Sequence, residues 1–298
     1  MIRRSLITLV LLLLLSISVQ PPSVKADSLP ENAYIKGVKG HPQTYSLSCE
    51  SRSAVDWAAY WDVNIRERKF LSALPHSDNP DRGMVGHPGD AWGNIPPNSY
   101  GVHAEPVAAL LREYGLDAVA RRGMEWDELR VEVAAGRPVI VWVIGQVWRG
   151  IPVHYKARDG SKTTVARFEH TMILIGYDDT SVQLVDAYSG DTQTHPLKNF
   201  LASWKTLGNM AITGQAARES IPPEEEQHHT YLPALFGTHL AASLPQPTTN
   251  NSQTYVVQRG DFLVGVARQL SVNWRKLANL NHLEPPYIIF PGQKLMIP

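Results

Sequence analysis

Pro138-Val-Ile-Val-Trp-Val-Ile144 carries no polar side chain. A run of that length without a hydrophilic face belongs in a strand covered on both sides. Thr171–Tyr177 is a second such run and Val182–Asp186 a third, joined through the turn Asp178-Asp179-Thr180-Ser181. The segments before them have a helical period instead. Ser48–Trp61 reads as a helix with Ser48 as its cap, Glu105–Tyr114 as a second closed by Gly115, and Asp127–Ala135 as a third closed by Gly136. Arg66–Asn98, rich in Gly, Pro, Asp and His, reads as a long surface loop. Helices first and a mostly antiparallel sheet later predict an α+β domain over residues 27–216.

Both ends of the chain differ from this middle. Arg3 and Arg4 precede the apolar run Leu6–Val19, and Val24-Lys25-Ala26 offers a processing site, so residues 1–26 read as a signal peptide cleaved after Ala26. The run is short beside the roughly 20 residues a spanning helix needs. An uncleaved anchor is the alternative, and only that would place the protein at a membrane. Either way the remainder is expected outside the cytoplasm. Residues 217–253, with Glu224-Glu225-Glu226, His228-His229 and a Pro/Thr/Asn/Ser stretch, read as a linker. A small patterned module follows over 254–298. With 28 basic and 28 acidic residues, no positive excess supports nucleic-acid binding.

Cys49 is the chain's one cysteine. An internal disulfide and a four-cysteine zinc site are therefore impossible, and a lone thiol outside the cytoplasm is either buried or used. Cys49 falls where a loop becomes a helix, so the free N–H groups there should favour a thiolate exposed enough to attack a carbonyl. Gln43, six residues earlier, could place its amide beside the helix start as an oxyanion donor, with the Cys49 backbone N–H as the other. A base should lie far off in sequence and close in space. His170 stands at the mouth of an apolar strand, and a hairpin would bring Asp186 to the same end of the sheet to hold the imidazole. Taken singly, Cys49 could be a core thiol, His170 a strand-end histidine, Asp186 a turn residue and Gln43 a surface residue. His103 is the rival base, disfavoured by its place at a helix N-terminus. The scattered histidines lack metal-ligand spacing and no His-Glu-x-x-His occurs, so neither a metal nor another cofactor is expected.

Gln43-x5-Cys49, the His170 strand ending in Gly176-Tyr-Asp-Asp179 and Val185-Asp-x-x-x-Gly190 resemble the C39-like peptidases, relatives of papain. Asn98–His103, Tyr114-Gly115, Glu128-Leu129 and Gly136–Val141 add to the likeness. The resemblance implies a papain-like cysteine peptidase fold, with Cys49 as nucleophile, His170 as general base, Asp186 as orienting acid and Gln43 as oxyanion donor. One departure stands beside the nucleophile: Glu50-Ser51 replaces the Gly-Pro common in the family. A carboxylate there could raise the thiol pKa or shape the pocket.

In the small module, Tyr255–Val257 reads as a strand, Asp261 as the cap of a helix bearing Leu263, Val266, Ala267 and Leu270, Trp274–Leu280 as a second helix, and Lys294–Ile297 as a last strand. Tyr255-x-Val257-x-x-Gly260-Asp261, Leu277-x-x-Leu280-Asn281 and Pro291-Gly-Gln-x-Leu-x-Ile-Pro298 resemble LysM, a βααβ module that binds N-acetylglucosamine polymers. The resemblance implies a glycan site at Gly260, Asp261, Phe262, Leu263, Pro286 and Ile289. Leu263 and Ile289 could equally be core alone.

These readings predict a secreted, cell-wall-associated thiol peptidase acting on peptides or peptidoglycan stems. A non-catalytic peptide-binding wall protein and an acyl transferase are the alternatives. Asp78, Asp81, His87, Asp90 and Trp92 make the long loop a candidate lid or a packed structural loop.

Overall fold

The computed structural model describes residues 29–216, 254–258, 261–283, 287, 289, 290 and 292–298. The expected signal peptide and linker, Gly260 and Pro286 lie outside the described residues. In chain order the elements are β1 (Ala33–Tyr34), α1 (Cys49–Tyr60), α2 (Glu67–Ala73), α3 (Ala104–Glu113), β2 (Val119–Arg121), α4 (Trp126–Ala134), β3 (Val139–Ile144), β4 (Val153–Lys156), β5 (Lys162–Val165), β6 (Glu169–Tyr177), β7 (Ser181–Asp186), β8 (Thr192–Pro196), α5 (Leu197–Lys205) and β9 (Ala211–Thr213). The small module adds β10 (Thr254–Val256), α6 (Leu263–Gln269), α7 (Trp274–Leu280) and β11 (Lys294–Met296).

The three apolar runs are the centre of one antiparallel sheet ordered β2-β9-β3-β6-β7-β8, with β1 on β6. Every residue of β3 and β6 is buried, as strands without a polar face must be. Helix α1 packs across β6 and β3, burying Ala54, Val55, Trp57 and Ala58. Two polar contacts fix its angle. The Trp57 indole donates to Pro138 O at 2.7 Å, and Ser53 Oγ meets Thr171 Oγ1 at 3.0 Å. The start of the helix is thereby held over the start of β6.

Local details depart from the sequence reading. Ser48 occupies the N-cap position of α1 but makes no cap bond; its hydroxyl donates to Glu67 Oε1 at 2.8 Å or to Tyr45 O at 3.1 Å. Glu67 belongs to α2, which takes up the first part of the expected loop because Phe70 and Leu71 bury themselves in the core. Strand β6 begins at Glu169, so His170 is its second residue. In the small module β10 and β11 pair antiparallel, and Val257, Leu263, Val266, Leu277, Ile289 and Leu295 form a core of their own. Asp261 does not cap α6: it accepts from Tyr255 Oη at 2.7 Å and from the Gln258 N–H at 2.6 Å, tying the turn between them. The N-cap residue is Phe262.

Candidate active site

Strands β6 and β7 pair antiparallel with Met172 opposite Asp186. Side chains alternate along a strand, so His170 falls on the same face as Met172 and reaches across to Asp186. His170 Nε2 lies 2.7 Å from Asp186 Oδ1, with both residues buried. A carboxylate can only accept, so Nε2 carries the proton and Nδ1 is left to act as base. Asp186 is held from every side. The Tyr188 N–H donates to Oδ1 at 3.0 Å, while Ser189 Oγ and Gln193 Nε2 each donate to Oδ2 at 2.9 Å. Burial alone would raise its pKa, but the hydrogen bond and charge of His170 hold it below the usual carboxylate value, helped by Tyr188 and Ser189.

Cys49 opens α1, as expected, but its surroundings reverse the expected electrostatics. It is 3% exposed, and Sγ donates to Glu50 Oε2 at 3.2 Å. Among the described residues no hydrogen bond joins Cys49 to His170. Burial, then Glu50 and then Glu169 push the thiol pKa well up, against a smaller contribution from the Thr171 backbone N–H. The expected low-pKa, accessible thiolate is therefore corrected. A helix N-terminus contributes about half a charge spread over several N–H groups, and burial, together with the two carboxyls, outweighs it.

Glu169 was missed in the sequence although it precedes His170. The available signal was a charged residue opening a wholly apolar strand. Because alternate residues face opposite ways, Glu169 points away from Asp186 and towards Glu50 and Cys49. Burial and Glu50 raise its pKa well above the carboxylate range. Glu50 is raised by burial too, although its Oε1 accepts from the Val102 N–H at 2.5 Å.

Gln43 is brought close by its backbone, whose N–H donates to Ala187 O at 2.8 Å and so ties its loop to the loop carrying Asp186. Its side chain is engaged locally: Nε2 donates to Tyr45 O at 2.7 Å and Ser46 O at 3.2 Å, and buried Oε1 has no partner. The rival base His103 is wholly buried elsewhere, with Nδ1 2.5 Å from Asp81 Oδ1 and Nε2 3.2 Å from Tyr100 Oη. Of the long-loop residues, Trp92 reaches the site. Its ring meets His170 edge-on at 6.2 Å, and its indole N–H donates to Glu169 O at 2.7 Å. Asp81 instead serves His103, and Asp90 Oδ2 accepts from the His87 N–H.

Of the expected glycan residues, Asp261 and Phe262 are partly exposed, whereas Leu263 and Ile289 are buried in the module's core.

The profile of the Peptidase_C39 like family matches residues 35–212, and that of the LysM domain matches 255–298. A curated relative from Bacillus subtilis (strain 168), "Uncharacterized protein YvpB", is 28% identical over 202 residues, covering 64% of this chain and 78% of its own. A crystal structure of a putative C39-like peptidase from Bacillus anthracis shares the fold with a TM-score of 0.54 at 23% identity, over 62% of this chain and 98% of that one. With more than half of its length matched, the chain belongs to the Peptidase_C39 like family of cysteine peptidases and carries a LysM domain.

Proposed function

We propose that the protein is an exported thiol peptidase that cleaves peptide or peptidoglycan-stem amide bonds while its LysM domain holds it to cell-wall glycan. The observation that carries this reading is the buried His170–Asp186 pair, 2.7 Å apart, on the strand against which the Cys49 helix is packed. Asp186 fixes the tautomer, so His170 Nδ1 can take the Cys49 proton once Sγ turns away from Glu50. The thiolate then attacks the scissile carbonyl. Its oxyanion is met by the Cys49 N–H and by the Gln43 amide, which first gives up a carbonyl of its own loop. His170 returns the proton to the leaving amine, and water hydrolyses the thioester. Asp261 and Phe262, with Gly260 and Pro286, supply the glycan contacts. The Leu6–Val19 run is the basis for export.

The test is covalent labelling of the folded full chain with an epoxide electrophile, followed by mass mapping, alongside release of amino groups from isolated peptidoglycan. Labelling at Cys49 that falls about 10²–10⁴-fold in His170→Ala is the expected result. A thiol that reacts only after unfolding, with no amino groups released, sinks the reading. One observation favours a second function, a peptide-binding wall protein without turnover: the thiol is buried and bonded to a carboxyl.

A further inference from the structure

Glu169 takes no part in the chemistry just described, and among the described residues it is the one buried side chain with two unpartnered polar atoms. It is 2% exposed, and neither carboxyl oxygen has a hydrogen-bond partner. An uncompensated buried polar group of this kind costs about 1–3 kcal/mol, more if charged. Beside it Glu50 is 1% exposed, and the two acids converge on Cys49. One ligand atom from each of Cys49, Glu50 and Glu169 lies within 4.8 Å of the other two.

The backbone makes room for this convergence. Gly101 has φ +128°, and a Cβ there would come within 2.2 Å of Glu50 Oε1 and 2.9 Å of Glu169 Oε2. A side chain at position 101 would drive the carboxyls apart. The space is kept, while nothing described in the protein uses the free oxygens of Glu169.

We propose that Cys49, Glu50 and Glu169 form a binding site for a borderline divalent cation of the Zn2+ type, and that occupancy silences Cys49. The silencing rests on Cys49 being the nucleophile; the binding does not. The donor set selects the cation, since a thiolate disfavours Mg2+ and Ca2+, which take oxygen ligands, whereas Zn2+ accepts sulfur and carboxylate together. Ligands of one tetrahedral zinc lie about 2.0–2.3 Å from the ion and so roughly 4 Å or less from one another. The observed cluster needs a closure of at most about 1 Å to reach that geometry. On binding, the aqua ion exchanges waters for the Cys49 sulfur and one oxygen from each glutamate. The thiol proton, with any proton the carboxyls share, is released to solvent. His170 keeps its bond to Asp186 throughout, since it supplies no ligand to the site. With Sγ bound to the cation, its negative charge is drawn onto the metal and the sulfur is held by the two glutamates' ion, so it no longer attacks a carbonyl.

The experiment uses the full chain, stripped with a chelator and titrated with Co2+ and then Zn2+. Thiolate ligation gives a sulfur-to-cobalt charge-transfer band, a readout independent of peptidase activity. The expected result is a band saturating at one ion per chain, discharged by Zn2+, absent in Cys49→Ser, and weakened at least about tenfold in affinity in Glu50→Gln and Glu169→Gln. Zn2+ should also protect Cys49 from the epoxide in the wild type and not in Glu169→Gln. If Glu169→Gln misfolds by circular dichroism, Glu169→Asp, which keeps the charge but shortens the reach, should show the same loss of affinity. No band, or a band of unchanged affinity in the glutamate variants, overturns the site and leaves the acids as a pair sharing a proton. A band on a chain that never labels or cleaves upholds the site and removes the peptidase reading instead.

Discussion

Asp186 accepts from His170, Tyr188, Ser189 and Gln193, so its two oxygens are filled by the fold before any substrate arrives. Replacing it therefore has separable effects. Asp186→Asn keeps the shape but leaves a single accepting oxygen for donors that now fill two, and is expected to lower turnover about 10²–10⁴-fold while costing less stability than removal of the whole carboxylate. Asp186→Ala also strands buried donors and should cost about 1–3 kcal/mol more in denaturant unfolding. In the LysM domain the same contrast sorts contact from core. Phe262→Ala should weaken binding to an N-acetylglucosamine oligomer with the module still folded, by titration and circular dichroism. Leu263→Ala, which empties a wholly buried site, should lose about 2–5 kcal/mol from a small core and unfold it.

At the scale of elements, the loop before α3 is fastened by His103 against Asp81. Burial lowers the His103 pKa, although Asp81 pulls it back up. The unfolded chain binds that proton more readily, so this contribution is complete above the ordinary histidine value of about 6.5 and is lost as pH falls through the lowered one. Thermal scans should show the wild type losing stability in that window more steeply than His103→Gln. Strand β9 is followed by Gly214, with φ +148°, and a Cβ there would lie 2.8 Å from the Asp117 carbonyl carbon. Gly214→Ala should therefore destabilise by about 1–3 kcal/mol, measured as a fall in Tm. Strands β3, β6 and β7 were legible because they are unbroken apolar runs, and α3 and α4 because glycines end them. By contrast β8 (Thr-Gln-Thr-His-Pro) alternates between exposed and half-buried positions, and β9 is too short to show a period. They are strands because β7, β2 and β3 offer them edges. At the site, Cys49, His170 and Asp186 were legible by type and spacing. The burial of Cys49 under two acids was not, because it depends on which face of β6 Glu169 takes.

Among the described residues the peptidase domain holds a large core and a small satellite cluster around Val85, Tyr100 and Val165, and the LysM domain has a core that shares no residue with either. Calorimetry of the full chain should resolve two transitions, and an N-acetylglucosamine oligomer should move the LysM transition alone, by mass action. A single transition shifted by sugar would show that the cores melt together. No helix among the described residues is long and apolar enough to cross a membrane.

The sheet order also sets a timetable. Strand β9 is the last of the large sheet in sequence yet lies between β2 and β3, with Ile212 opposite both Ala120 and Ile140. A chain delivered from its N-terminus cannot close that gap until Thr213 is available, and meanwhile β2 and β3 each present an open edge able to pair with another chain. The strand that supports the His170 strand is thus completed by a segment more than forty residues downstream of His170 itself. The peptidase unit consequently finishes folding late, and premature termination before β9 yields an aggregation-prone product rather than a shorter working enzyme.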